Sequence, residues 1–509
     1  MADGLQRLVE WRAVEKLYYA DGSLWSDDEA TATEIGGWTG WIPVVGELRD
    51  QAEELEAWAD ETMAQFAHVV LCGMGGSSLA PLVFGDAFGG RLVVLDTTDP
   101  DAVAATPTDD ALFVIASKSG STLEPEIMEE RFWALTGGDG SRFVAITDPG
   151  SKLAARAAER GFRRTFLNRP DIGGRFSALS YFGMVPTALA GGTSIAPLLD
   201  SALAVLQSSG PDADPEQNEP LKLGALLGDS VAAGRDKLTI IADPAAGSIG
   251  LWLEQLLAES TGKDGTGVVP CADEPIGSPD VYGDDRLFAY IRRHGTHDAA
   301  VDAFEQAGFP VVRCQLTGLQ DLAAQMITWE LATAYCGALL GINPFDQPNV
   351  QAAKDYVVAA LDGYVKTGHL DDVEPGDLGA ALAGAERGRS FFVIQAYVTP
   401  TGANEGALQG LRRAVRDRLG IATQLGFGPR YLHSTGQLHK GGSRQGIYLQ
   451  VVAGEDSDAE IPGRPYGFRT VIEAQSRGDA QALRATGQPV ARVTLAEAVD
   501  AVDAALGAG

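Results

Sequence analysis

Two loops in the first third of the chain combine glycine with hydroxyl side chains, at residues 73–78 (GMGGSS) and 117–122 (SKSGST). Each loop follows a short apolar run, at residues 68–72 and 113–116, of the kind that forms a buried parallel strand. A loop between a strand and a helix presents unpaired backbone N–H groups at the positive end of the helix dipole, and glycine lets an anion approach the main chain closely. Because two such loops occur together and Lys118 adds a positive charge, they predict a cradle for the phosphate group of a small molecule.

The first of these loops also fits a dinucleotide site. Gly73 and Gly75 follow a strand, and Asp96 ends the next strand about twenty residues later, as in the fingerprint of nicotinamide-dependent dehydrogenases. However, Ser78 replaces the third glycine of that fingerprint, and a dinucleotide would leave the loop at 117–122 without a function. A dehydrogenase is therefore the weaker interpretation of the two loops.

Glu259 is a candidate for proton transfer. The segment 251–262 (LWLEQLLAESTG) predicts a helix that ends at Gly262. On this helix Trp252, Leu256 and Glu259 share one apolar stripe. Burial and the negative end of the helix dipole both disfavour the charged form of such a carboxylate, which suits a group that takes and returns a proton. A glutamate that caps a loop or pairs with an arginine would give the same pattern.

Lys354 lies in the segment 343–361, where a helical face also carries Val350, Val357 and Leu361. A lysine in line with an apolar stripe either extends to water or stays inside as a proton donor or anion clamp.

Arg175 follows paired glycines in the segment 171–177 (DIGGRFS), beside Ser177, which we expect to cap the next helix. A guanidinium in this position can balance negative charge that develops on a bound oxygen, although a structural ion pair would use the same residue.

The elements that must position these residues alternate between strand and helix along most of the chain, which predicts an α/β protein with parallel sheets. The pattern restarts after the polar segment 211–220, and this restart predicts two doubly wound sandwiches packed together with a ligand between them. We predict a first region at 1–210, with its α/β domain at about 50–200. The second region, at 211–509, carries a C-terminal α/β extension in which strand, helix, strand and helix follow one another from Arg469.

Composition limits the partners of the chain. The 509 residues carry a formal net charge of −30, which argues against nucleic-acid or anionic-membrane binding because those surfaces are negative. The cysteines Cys72, Cys271, Cys314 and Cys336 lie in apolar surroundings without metal-type spacing, and we expect them to be reduced core residues. With no signal sequence and no apolar run of membrane-spanning length, the expected location is the cytoplasm.

Taken in order, these segments resemble the glucose-6-phosphate isomerases, a family whose two halves are sugar-isomerase (SIS) domains of flavodoxin-like architecture. The matching motifs lie at residues 73–78, 117–124, 173–177, 259–263 and 344–354. The resemblance implies reversible conversion of glucose 6-phosphate to fructose 6-phosphate, a reaction of glycolysis and gluconeogenesis, through a cis-enediolate and without a metal or organic cofactor.

The resemblance also implies a role for each matched residue. Glu259 would move a proton between C2 and C1, Arg175 would steady the enediolate, and Lys354 would help a histidine to open the sugar ring. Substrate-binding roles are implied for Gly75, Gly76, Ser77, Ser117, Lys118, Ser119, Ser121, Thr122, Glu124, Gln255 and Gln347. The partners implied are a hexose 6-phosphate and a second copy of the chain in a homodimer, which can contribute a histidine to the site.

The histidine departs from the family pattern. The ring-opening histidine of the family lies between the glutamate and lysine motifs, where this chain has only His294 and His297. A His-Ser-x-Gly-Gln pattern occurs later, at 433–437, in a stretch that looks like the isomerase portion of bifunctional transaldolase–isomerase proteins. We therefore predict His433 as the catalytic histidine, with His439 in reserve. The spacing of His294 and His297 is also seen in metal sites, but no further ligand set accompanies them.

Two further functions stay open at this point. An isomerase of another sugar phosphate, such as mannose 6-phosphate, would keep the cradle and the base but differ in the sugar pocket. A phosphosugar-binding protein without catalysis would keep the cradle alone, and the presence of Glu259 and Lys354 argues against it.

Overall fold

The computed structural model describes residues 3–454 and 457–507 of the chain. Four helices precede the first sheet: α1 (Asp3–Glu10), α2 (Ala13–Tyr18), α3 (Glu29–Gly36) and α4 (Val44–Met63). Buried apolar side chains of these helices, such as Leu8, Leu17, Ile35 and Leu48, belong to the same apolar core as Val69 and Leu71.

The first sheet has five parallel strands in the order β2-β1-β3-β4-β5. Its strands are β1 (His68–Cys72), β2 (Leu92–Leu95), β3 (Ala111–Ala116), β4 (Phe143–Thr147) and β5 (Arg164–Leu167). The helices between them are α5 (Leu79–Phe88), α6 (Pro100–Ala105), α7 (Leu123–Leu135) and α8 (Lys152–Glu159). Val69 and Leu71 of β1 face one apolar core, whereas Val70 and Cys72 face another. The sheet is therefore covered on both faces, which is why its strands are continuous apolar runs.

Three helices lead to the second sheet: α9 (Tyr181–Ala190), α10 (Ala196–Ser208) and α11 (Glu219–Ala232). The second sheet has the parallel order β7-β6-β8-β9, with β6 (Lys237–Ala242), β7 (Val269–Ala272), β8 (Arg286–Arg292) and β9 (Val311–Gln315). Its helices are α12 (Ile249–Thr261), α13 (Asp298–Gln306) and α14 (Asp321–Leu340). Helix α12 ends at Gly262, as predicted.

The described residues that follow contain a third parallel sheet, in the order β11-β10-β12-β13. Helices α15 (Gln351–Thr367) and α16 (Leu378–Ala383) come before it. The elements that follow are β10 (Phe391–Tyr397), α17 (Gly402–Leu419), β11 (Ala422–Phe427), α18 (Gly436–Gly441), β12 (Gly446–Val452), α19 (Phe468–Ala485), β13 (Val490–Thr494) and α20 (Ala498–Gly507).

The predicted α/β class with doubly wound parallel sheets is confirmed, and the described residues form three such sheets. Strands β10, β11 and β12 of the third sheet lie before Arg469, and β13 falls in the predicted C-terminal extension. In all three sheets the second strand lies on one side of the first strand and the later strands lie on the other side. The connections that follow the first and third strands of each sheet therefore lead to opposite sides of the sheet. The loops that leave these two neighbouring strands diverge, and a crevice opens between them. The boundaries predicted at 1–210 and 211–509 stay predictions.

Two local predictions are wrong. Residues near Arg469 form helix α19 and not a strand, because the buried positions Phe468, Val471 and Ile472 follow a helical spacing. The cap of α9 is Ser180, whose side chain accepts the N–H of Phe182, and not Ser177.

All four cysteines are buried and free. None of the described helices combines the length and the apolar character that crossing a bilayer requires.

Candidate active site

A cavity of about 560 Å³ opens outside the carboxyl ends of β1 and β3. Its walls come from the loops that follow these strands, from α12, from the segment before α15 and from the turn before α18. The predicted site residues on its walls are Gly76, Ser77, Ser117, Lys118, Ser119, Thr122, Gln255, Glu259, Gln347, Lys354 and His433. The fold therefore brings residues from all three sheet units to one cavity.

Four predicted residues lie next to this cavity rather than on its wall: Gly75, Ser121, Glu124 and Arg175. Ser121 and Glu124 line an adjoining cavity of about 340 Å³, which shares Ser119, Thr122 and His433 with the first.

The glycines of the first loop allow contact between protein loops. Gly75 has φ +53°, and a Cβ atom there would lie 2.4 Å from the carbonyl oxygen of His433. At Gly76 a Cβ atom would lie 1.9 Å from the carbonyl oxygen of Gly174. Larger residues would push the loop at 73–78 away from the turns that carry Arg175 and His433.

The loop at 117–122 is folded by its own hydroxyl groups. The Ser117 hydroxyl accepts the N–H of Gly120 at 3.1 Å, and the hydroxyls of Ser119 and Ser121 are 2.9 Å apart. Lys118 Nζ lies 2.5 Å from Asp148 Oδ2. Burial raises the pKa of Asp148, and the bond to Lys118 offsets only part of that effect. A phosphate would therefore share the ammonium of Lys118 with a carboxylate that sequence analysis did not identify.

Glu259 lies on the predicted apolar stripe of α12, and its side chain is 14% exposed. Its Oε1 is 3.4 Å from Nη1 of Arg175, and its Oε2 accepts a hydrogen bond of 3.1 Å from Gln255 Nε2. Gln255 Nε2 also donates to the carbonyl oxygen of His433 at 2.8 Å. These contacts hold the carboxylate at the cavity wall and connect it to the turn that carries His433.

Arg175 is buried behind Glu259. Its guanidinium donates to Ser260 Oγ at 2.7 Å and to Gln347 Oε1 at 3.1 Å, and also to the carbonyl oxygens of Pro344 and Asp346. Burial lowers the pKa of Arg175, and the charges of Glu259 and Asp346 oppose this shift. The guanidinium therefore contacts two side chains of the cavity wall, Glu259 and Gln347, without lying on the wall itself.

His433 is oriented by a buried carboxylate. Its Nε2 lies 3.0 Å from Glu124 Oε1, which also accepts a hydrogen bond of 2.7 Å from Gln475 Nε2. Burial favours the protonated form of Glu124, but the charge and hydrogen bond of His433 and the charge of Lys354 outweigh it and lower the pKa of Glu124. An ionised carboxylate only accepts, so Nε2 of His433 carries the proton of this bond and Nδ1 is the ring atom left for proton exchange.

Lys354 is exposed in the first turn of α15, at the edge of the cavity, whereas Val357 and Leu361 of the same helix are buried. The ammonium extends to water and is not enclosed by the apolar stripe.

Comparisons with known proteins show which family the chain resembles. Residues 41–278 match the family model described as phosphoglucose isomerase. This part of the chain is similar to the phosphoglucose isomerase family. A glucose-6-phosphate isomerase of Rubrobacter xylanophilus is 28% identical over 383 residues, which cover 62% of this chain and 86% of the relative. A glucose-6-phosphate isomerase of Enterococcus faecalis is 25% identical over 425 residues, which cover 70% of this chain and 94% of the relative.

Solved structures share the fold of this chain. A hypothetical protein from Thermus thermophilus superposes with a TM-score of 0.60 and 25% identity, and the match covers 70% of this chain and 96% of that protein. A glucose-6-phosphate isomerase from Chlamydia trachomatis superposes with a TM-score of 0.53 over 69% of this chain and 78% of its own, and at 21% identity it shows the fold alone. The predicted resemblance to the phosphoglucose isomerase family is confirmed.

The other candidate histidines lie elsewhere. His439 is buried in a different cavity, with its Nε2 3.0 Å from Gln424 Oε1, and burial together with the charge of Lys440 holds its pKa well below the usual range. His294 and His297 lie after β8 in the second sheet unit.

The dinucleotide interpretation of the first loop is not supported. Arg430 forms two bonds to the carboxylate of Asp96, at 2.7 and 2.8 Å. A ribose would have to displace this ion pair to reach Asp96, whereas a phosphoglucose isomerase does not need a free carboxylate there.

Sequence analysis gave no role to two further residues of the site. Lys263, in the motif at 259–263, is buried with its Nζ 2.7 Å from Asp346, and burial together with the charge of Arg175 lowers its pKa to about 7. Gln475 lies on α19 in the third sheet unit and donates a hydrogen bond to Glu124 of the first unit. The spacing of Lys263 from Glu259 was the only signal in the sequence; for Gln475 there was none, since its partner is distant along the chain.

Proposed function

We propose that this chain catalyses the reversible isomerisation of glucose 6-phosphate to fructose 6-phosphate, the activity named for its relatives. The observation that carries the proposal is that the serine-rich loop at 117–122 and the carboxylate of Glu259 face one cavity. The cavity volume of about 560 Å³ is in the range of small-molecule sites. One hexose phosphate can therefore contact an anion-binding loop at one end and a general base at the other.

The phosphate end fixes the position of the sugar. Hydroxyl groups and backbone N–H groups of the loop at 117–122 bind the phosphate oxygens, and Lys118 contributes its charge while it stays close to Asp148. Because this binding is made away from the reacting carbons, it contributes to the rate by holding C1 and C2 within reach of Glu259.

The carboxylate end performs the proton transfer. Glu259 removes the proton from C2 of the open-chain aldose, a cis-enediolate forms, and Glu259 returns the proton to C1. Gln255 orients the carboxylate through a hydrogen bond to Oε2, and Arg175 lies 3.4 Å from Oε1. The positive charge of Arg175, next to Glu259 and Gln347 of the cavity wall, lowers the energy of the negatively charged enediolate.

Ring opening uses His433 and Lys354. With Nε2 bonded to Glu124, His433 exchanges a proton at Nδ1 with the ring oxygen or the C1 hydroxyl of the closed sugar. Lys354, at the cavity edge, supplies a second cation for the oxygen that develops charge.

One chain supplies every predicted catalytic residue of this site, and His433 comes from the third sheet unit of that chain. The proposed enzyme therefore needs no histidine from a second copy. A homodimer and a cytoplasmic location stay predictions from the resemblance and from composition.

The experiment that tests the function follows the proton at C2. Glucose 6-phosphate deuterated at C2 is incubated with the protein in water, and deuterium content and fructose 6-phosphate are measured together. We expect product formation with partial loss of deuterium to solvent, because Glu259 exchanges its proton between the two transfers. Binding without product or deuterium loss would identify a sugar-phosphate sensor, and faster turnover of mannose 6-phosphate would identify a different isomerase.

A further inference from the structure

The second sheet unit repeats the strand order of the first, and residue pairing aligns the two units position by position. In the first unit Cys72 of β1 pairs with Ile115 of β3, and in the second unit Ala242 of β6 pairs with Ile291 of β8. The residue that follows Cys72 is Gly73, and the residue that follows Ala242 is Asp243. By the same alignment, the loop at 293–296 corresponds to the start of the anion-binding loop at 117–122.

The loop at 293–296 binds an anion, and that anion is the side chain of Asp243. Oδ2 of Asp243 accepts three backbone N–H groups, from Arg293 at 2.9 Å, His294 at 2.6 Å and Gly295 at 2.8 Å. Oδ1 accepts the N–H of Thr296 at 3.1 Å, and the hydroxyl of Tyr290 at 2.7 Å. Four consecutive N–H groups that point at one carboxylate form a nest of the type that binds phosphate.

The nest rather than a cation neutralises this carboxylate. Asp243 is 1% exposed, and among residues 3–454 and 457–507 no Lys, Arg or His side chain lies within ion-pair distance of it. Burial raises the pKa of Asp243, but the bonds from Tyr290 and the loop outweigh this effect and lower it to about 2. The group is therefore ionised at neutral pH and occupies the position that a bound oxyanion would take.

We propose that residues 293–296 form a second phosphate-type site, built at the same place in its sheet unit as the loop at 117–122, and that Asp243 is its resident anion. The second unit consequently takes no phosphate from solution. In the first unit the corresponding residue is Gly73, which carries no side chain, and a Cβ atom there would lie 2.8 Å from the carbonyl oxygen of Ser77. A side chain without a carboxylate at 243 would turn the second nest into a site for inorganic phosphate, sulfate or a phosphate monoester.

The test compares Asp243→Gly, which empties the nest, with Asp243→Asn, which fills the same space without a charge. Thermal unfolding is measured in a neutral buffer with increasing inorganic phosphate, for both variants and for the wild-type protein. The wild-type protein and the Asn variant report phosphate binding at the first loop alone. We expect the Gly variant to be the least stable without phosphate and to gain more in Tm from phosphate than the other two proteins. Calorimetry should give one more phosphate per chain for the Gly variant than for the wild-type protein.

Equal phosphate-dependent gains in Tm for all three proteins, or the same number of phosphates per chain in the Gly variant as in the wild-type protein, would overturn the proposal. If Asp243→Gly does not fold, the Asp243→Ala variant is unfolded and then refolded in buffers with and without phosphate. A phosphate concentration of about 50 mM is used because weak anion sites are filled at that level. If folded protein is recovered only in the presence of phosphate, the proposal is supported. If no folded protein is recovered in either buffer, the proposal is contradicted. All these readouts are independent of isomerase activity, so the proposed function can fail while this proposal holds.

Discussion

Replacement of Glu259 by glutamine is the most direct perturbation of the proposed mechanism. Glutamine keeps the volume of the side chain and can still contact Gln255, but it cannot accept a proton from carbon. Loss of a positioned general base typically slows a reaction by 10²–10⁴-fold, or about 3–5 kcal/mol in activation free energy. We therefore expect kcat of Glu259→Gln to fall by about 10³-fold or more, with little change in KM.

The fold should survive this substitution. Removing one partner of a buried ion pair costs up to about 3–5 kcal/mol, but Glu259 is 14% exposed and Arg175 keeps bonds to four other oxygens. A cost of about 1–2 kcal/mol is more consistent with these contacts, against a total stability of about 5–15 kcal/mol for typical domains. A loss of activity in the folded variant would therefore come from impaired proton transfer and not from unfolding.

Glu254→Gln provides the matched control. Glu254 is buried on the same helix and lies on the wall of a different cavity, where it accepts the N–H of Ala272 at 2.9 Å. Burial raises the pKa of Glu254 to about 8, so the group is mostly neutral at pH 7 and glutamine is a close substitute. A coupled assay on both variants decides the matter: turnover of Glu259→Gln within a few-fold of the Glu254→Gln value would refute Glu259 as the base.

Three further predictions follow from described contacts. His433→Asn should lower turnover by about 10²-fold and Glu124→Gln by a smaller factor, because glutamine keeps an oxygen acceptor for Nε2; equal losses in steady-state assays would contradict the orienting role of Glu124. Specific activity should stay constant on dilution through any dimer dissociation measured by ultracentrifugation, since one chain supplies the catalytic side chains; activity that falls in step with dissociation would contradict a single-chain site. The pKa of Asp243 is lowered from 3.8 to about 2, so its stabilising contribution is present above about pH 4 and lost as pH falls towards 2. That contribution is about 2 kcal/mol, and denaturant unfolding at pH 5 and pH 2.5 should show a smaller acid-induced loss in Asp243→Asn than in the wild-type protein.

The sequence was informative wherever the relevant pattern is local. The apolar runs of β1 and β3, the glycine-rich loops after them and the stripe of α12 that carries Glu259 all depend on residues a few positions apart. The wrong strand near Arg469 is the exception, because short apolar spacings there fit both helix and strand until the packing of α19 decides between them.

Contacts between distant segments could not be predicted in the same way. The pairing of Lys118 with Asp148, the hold of Gln475 on Glu124 and the nest around Asp243 each join separate loops or units. Their geometry depends on strand order and register, for which a single sequence contains no direct signal.

By itself, the sequence determined the α/β class and predicted a phosphate loop at 117–122 and a carboxylate base at Glu259, because periodicity and residue type act over a few neighbouring positions. Only the tertiary structure decided that His433, and not His439, His294 or His297, reaches the cavity. The physical reason is that parallel strands with crossover helices bring the loops at their carboxyl ends together however far apart they lie in the chain.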